Sequence, residues 1–172
     1  MDKQALVCDT TVLLYLDRIG QLNLLQALFE PVCVPEPVRL ELAMGRLLRP
    51  DTIDPSQLNW ITPVSVDQSE VDALPPNRLG RGERAVIAYA QSHASHWVGS
   101  DDRQARLLAE HLGLKVVGTI GILIRAKRVG LISAVRPYLD SLQKAGFRLV
   151  PELYQEALRL TSEETGLARG TG

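Results

Sequence analysis

The sequence predicts an α/β fold with a mostly parallel central sheet covered by helices on both faces. Two observations carry this. Short apolar runs of strand length alternate with segments of helical periodicity along the 172 residues. Glycine and proline punctuate nearly every joint between them, as element boundaries require. A third observation concerns the joints themselves: several acids fall at the ends of predicted strands or in the first turns of predicted helices.

Ala5 to Cys8 reads as a first buried strand, and Asp9-Thr10-Thr11 supplies helix-capping chemistry behind it. Val12, Leu13, Leu16 and Ile19 form a helical face ending near Gly20. Leu22, Leu24, Leu25, Leu28 and Phe29 form a second stripe. Val32-Cys33-Val34 is a short strand. The prolines at 35 and 37 then open a helix from Val38 to Met44, stopped at Gly45. Residues 46 to 59 are irregular. Trp60 to Val66 reads as a strand that Pro63 moves toward a sheet edge. Arg81 to His93 is a helix, Trp97-Val98 a strand, Asp102 to Leu112 a helix and Lys115 to Val117 a strand. Helices follow from Gly118 to Arg128, Ser133 to Ala145 and Pro151 to Leu160. Residues 1–160 are expected as a single domain and 161–172 as a polar, flexible tail.

Composition narrows the function. Net charge is −1 and aromatic residues are 5% of the chain, so neither a strongly basic surface nor a base-stacking platform is indicated. No apolar run has membrane-spanning length, and the N-terminus lacks the pattern of a signal peptide, which places the expected location in the cytoplasm. Cys8 and Cys33 lie inside apolar runs and read as buried thiols. His93, His96 and His111 have no zinc spacing. Gly80-Arg81-Gly82 lacks the ending of a P-loop.

In a parallel sheet the functional crevice lies beyond the carboxyl ends of the strands. Asp9 and the Asp101-Asp102 pair occupy that edge, and Glu41 and Glu83 start helices that can converge on it. Each acid alone has an ordinary structural explanation as a cap or a dipole partner. Together they form a carboxylate pocket whose self-repulsion a hard divalent cation, Mg²⁺ or Mn²⁺, would relieve. Such a pocket suits metal-assisted hydrolysis of a phosphodiester. Arg81, Arg84, Arg103 and Arg106 flank two of the acids and supply a local cationic rim for phosphate.

Four stretches carry a resemblance. They are Leu6-Val7-Cys8-Asp9-Thr10-Thr11, the run Val34 to Glu41, the run Leu79 to Ala88, and Ser100-Asp101-Asp102 through Arg106. In this order they resemble the PIN-domain family, including its VapC-type toxin ribonucleases. The stretch from Gly118 to Arg128 resembles an uncharacterised prokaryotic branch of it. The resemblance implies a three-layer α/β/α fold and a metal-dependent endoribonuclease with Asp9, Glu41, Glu83 and Asp102 as its catalytic acids. It makes Asp9 and Asp102 the principal metal ligands, Asp101 an added acid, and Ser100 and Thr11 supporting polar residues. Glu83 stands where many relatives have Asp. A toxin-antitoxin setting, a small antitoxin partner and a homodimer are further family-level implications. The rival expectation is a non-catalytic PIN-like module that binds RNA or a protein.

Overall fold

The computed structural model describes residues 2–164. Five parallel strands form one sheet in the order β3-β2-β1-β4-β5. They are β1 (Gln4–Cys8), β2 (Phe29–Pro35), β3 (Ile61–Val64), β4 (His96–Gly99) and β5 (Val116–Val117). Nine helices connect and cover the strands among the described residues: α1 (Thr10–Arg18), α2 (Asn23–Leu28), α3 (Glu36–Leu48), α4 (Gln68–Asp72), α5 (Arg81–Ser92), α6 (Arg103–His111), α7 (Thr119–Arg128), α8 (Arg136–Lys144) and α9 (Pro151–Leu160). Every strand runs the same way because each crossover contains a helix or a long loop.

β1 is the middle strand, paired through Leu6 with Val32 of β2 on one side and Trp97 of β4 on the other. Leu6, Val7 and Cys8 are fully buried, as a strand covered on both faces requires. The core extends through Leu13 and Leu16 of α1, Leu42 of α3, Ile87 of α5 and Ile122 and Leu123 of α7. Both cysteines are free and buried. No helix among the described residues is long and apolar enough to cross a membrane.

Several boundaries differ from the sequence expectation. Phe29 belongs to β2 rather than to the preceding helix; its buried ring sits where the chain has already turned into extended backbone. α3 runs through Gly45 to Leu48, because Gly45 keeps helical backbone, packs against Thr52 and accepts from the Arg49 N–H. α4 was not expected: none of its residues is buried, so it leaves no apolar period to read. β3 is an edge strand with Pro63 in it, as proline demands.

Residues 161–164 pack against the domain. Thr161 is buried, and the Glu163 carboxylate lies 2.9 Å from Lys127 Nζ and accepts from the Val135 and Arg136 N–H groups. Residues 165–172 of the expected tail lie outside the described residues.

Candidate functional site

The carboxyl ends of β1 and β4 are adjacent, so the residues that follow them meet. The Asp9 N–H donates to the Gly99 carbonyl at 2.9 Å, continuing the strand pairing to the turn. The Asp9 side chain caps α1 and is 2% exposed. Its Oδ1 accepts from the Thr10 N–H at 2.6 Å, and its Oδ2 accepts from Ser100 Oγ at 3.2 Å. Ser100 Oγ also accepts from the Asp102 N–H at 3.2 Å. One serine therefore links the Asp9 carboxylate to the Asp102 backbone.

Asp102 caps α6, its Oδ1 accepting from the Ala105 N–H at 2.8 Å. Glu83 reaches back from the first turn of α5 to the Gly80 N–H at 3.0 Å. Glu41 comes from the middle of α3 and is held at two points. Thr10 Oγ1 donates to its Oε2, and the Gly82 N–H donates to its Oε1 at 3.1 Å.

Electrostatics mark the acids as one group. Burial pushes Asp9 up to about 7; the Thr10 and Ser100 hydrogen bonds oppose the shift, while the charges of Glu83 and Glu41 add to it. Glu83 is raised by burial and by Asp102 and Glu41, against the Gly80 hydrogen bond. Among the described residues no Lys, Arg or His forms an ion pair with Asp9, Glu41, Glu83 or Asp102.

Other expected residues are engaged elsewhere. Asp101 accepts from the Thr119 N–H at 2.7 Å and from Thr119 Oγ1 at 2.6 Å. Burial raises its pKa, and Thr119 and the Arg106 guanidinium oppose that rise. Asp101 thus ties the β4–α6 turn to the start of α7. Arg106 is turned to the same spot; a Cβ on Gly118 would lie 2.7 Å from the Asp101 carboxylate and 2.8 Å from the Arg106 guanidinium. Among the described residues Thr11 Oγ1 is buried without a hydrogen-bond partner, while its neighbour Thr10 holds Glu41. Arg81 and Arg84 face the cleft between α3 and α5, and Arg103 is exposed at the start of α6.

Gly82 and Thr10 are the positioning residues that sequence reasoning missed. A Cβ on Gly82 would come within 2.6 Å of Glu41 Oε1, so a larger residue here would push the Glu41 carboxylate out of its place. The visible signal was the glycine directly before Glu83; its partner, 41 residues upstream, was not visible.

The donor set is all hard oxygen with surplus negative charge, which fits a divalent cation chemically. Among the described residues, however, no group of three such side chains is already arranged to hold an ion. The caps and hydrogen bonds above hold Glu41, Glu83 and Asp102 to protein donors.

Comparison with known proteins places this geometry in a family. A PIN-domain family model matches residues 5–163. No curated protein and no solved structure matches the chain. The match spans β1 to the residues after α9, including all four acids, and nuclease-type, hydrolytic function that typically uses divalent metal is what the family brings in general. The chain belongs to the PIN-domain family.

Proposed function

We propose that this protein is a metal-dependent endoribonuclease that hydrolyses RNA phosphodiesters at the Asp9 edge of the sheet. The observation that carries the reading is the unneutralised cluster: a buried aspartate raised to about 7 beside Glu83 and Glu41, with no cation among the described residues paired to any of them. Natural proteins rarely keep such repulsion without a use for it.

Asp9 and Asp102 would hold Mg²⁺ or Mn²⁺, with Glu41 and Glu83 as outer acids. The metal, when bound, supplies charge neutralisation for the phosphate and activation of an attacking water. The protein's own residues position the reaction. Ser100 fixes the spacing of Asp9 and Asp102. Thr10 and Gly82 aim Glu41. Glu83, with its raised pKa, is suited to accept a proton from water at its free carboxylate oxygen. Arg81 and Arg84 attract the phosphate backbone.

A toxin role with a small antitoxin, and a homodimer, extend the reading by family analogy alone. A second reading, a non-catalytic RNA- or protein-binding module, draws on one observation: Asp102 and Glu83 already act as helix caps.

The test is cleavage of a mixed RNA pool with Mn²⁺, Mg²⁺ or EDTA, beside the Asp9→Asn variant. Metal-dependent cleavage that the variant lacks supports the nuclease. Equal cleavage by both proteins rejects this site, and no cleavage in any metal favours the binding module.

A further inference from the structure

Two clefts lie on opposite sides of the start of α5, and both border the acids. One, of about 640 Å³, lies between α3 and α5; Leu40, Met44, Val66 and Val71 give it apolar walls, and Glu41 lies at its margin. Arg81 and Arg84 also line it, and Glu41 is the only acid among its lining residues. The other, of about 750 Å³, lies between the loop before α5 and α6. Asn77, Arg78, Gln104 and His111 line it together with Glu83 and Asp102. Both clefts have apolar walls, the second through Leu79, Leu107 and Leu108; the first adds two arginines, and the second adds the neutral hydrogen-bonding side chains of Asn77 and Gln104 beside His111.

Helical geometry explains the division. Arg81, Arg84 and Ala85 share one side of α5, while Glu83 stands on the other. The first turn of α5 is a ridge between the clefts, with Glu41 of α3 lining the first and Glu83 and Asp102 lining the second.

We propose that the two clefts are nucleotide subsites on either side of the scissile bond: the α3–α5 cleft takes an unstacked base by apolar contact, and the α5–α6 cleft reads the edge of a neighbouring base by hydrogen bonding. This rests on the nuclease reading and deepens it. Three observations favour a nucleic-acid strand over a protein segment. Each cleft shares acids with the candidate reaction centre rather than lying apart from it. The apolar walls of the first cleft meet two guanidinium groups, the pairing that a base and its phosphate require. Arg81 and Arg84 form no ion pair among the described residues, which leaves their guanidinium groups free to meet an anionic oxygen.

Two consequences follow. The substrate continues on both sides of the cleaved bond, so cleavage is internal. Sequence preference resides on the Asn77–Gln104–His111 side, because apolar contact does not distinguish bases whereas hydrogen-bonding edges do.

The test separates this proposal from the nuclease reading by measuring binding without chemistry. Fluorescein-labelled short RNAs are titrated into Asp9→Asn protein by anisotropy, as single strands, as duplexes and with one abasic position. In the catalytically competent background, cleavage positions are mapped on a mixed single strand. Leu40→Ala/Met44→Ala alters side chains that are 54% and 65% exposed, so folding is preserved. It is expected to weaken single-strand binding roughly fivefold for every sequence. Gln104→Ala/His111→Ala, at two exposed positions, is expected to redistribute cleavage among bases. Duplex bound as tightly as single strand, abasic RNA bound like intact RNA, or unchanged affinity and cleavage positions in both double variants would overturn the subsites even if metal-dependent cleavage persists. A cleft that binds a peptide but no RNA would overturn them equally.

Discussion

Asp9 and Glu163 are both carboxylates largely removed from water, and the protein treats them in opposite ways. Burial raises Glu163 too, but the Val135 N–H, Lys127 and the Arg136 N–H outweigh it and bring the group down to about 2. Asp9 receives two hydrogen bonds and no cation, sits beside two further acids, and rises to about 7. The C-terminal acid is satisfied and works as a clasp between α7, α8 and the end of α9. The acid at the sheet edge is hydrogen-bonded but has no ion-pair partner among the described residues. A chain able to neutralise one carboxylate so completely leaves the other exposed to repulsion.

The sharpest way to break the comparison is Asp9→Asn. Metal-dependent cleavage is expected to fall on the order of a thousandfold. The same change removes a charge that is costly to bury, so metal-free stability at pH 8 is expected to rise. A loss of activity accompanied by lower melting temperature would assign Asp9 to structure instead.

Gly82→Ala probes how the cluster is aimed. The added methyl collides with Glu41, and cleavage is expected to drop ten- to a hundredfold, roughly, while far-ultraviolet circular dichroism stays unchanged. Wild-type rates in the alanine variant would remove Glu41 from the mechanism.

The pH dependence of stability tests the two acids together. Asp9 has a folded pKa above its ordinary 3.8, so the folded state holds the proton more tightly. Its contribution is favourable at low pH and is lost as pH rises from about 4 to 7, by roughly 4 kcal/mol at most. Glu163 has the opposite sign: its contribution is present above about 4.5 and is lost as pH falls toward 2. Chemical denaturation across that range, repeated with Asp9→Asn, should show the upper slope vanish in the variant. Adding Mg²⁺ to wild type at pH 8 should restore stability there and have little effect at pH 5.

Glu163→Gln sharpens the other side of the contrast and carries the smallest effect. Losing the charge beside Lys127 and at two N–H donors is expected to cost about 1–3 kcal/mol of stability at pH 7. RNA cleavage should not change, because the clasp lies away from the acids.

Much of this was legible in the chain. Asp9 and Asp102 follow short apolar runs, and the parallel topology those runs predict brings strand ends together. Glu83 was legible from the first turn of its helix. What was not legible depends on contacts between distant residues. Nothing around Glu41 announces that Thr10 and Gly82 will hold it, and nothing around Asp101 announces Thr119. Asp101 and Asp102 are adjacent acids in sequence, yet only the fold sends one to a helix start and the other to α7. Phe29 was assigned to the wrong element because a large apolar residue continues a helical stripe as readily as it begins a buried strand.

The strand order has a consequence for the protein as it is being made. β1 leaves the ribosome first, but its neighbour β4 comes much later, and the serine that steadies Asp9 lies 91 residues downstream. A nascent chain carrying α1, β2 and α3 already presents Asp9 and Glu41, yet has neither Ser100 nor Asp102. The acids become a set only when the sheet closes around its first strand. Completion of synthesis through β4 and α6 is thus a built-in delay before the acids of this edge are assembled.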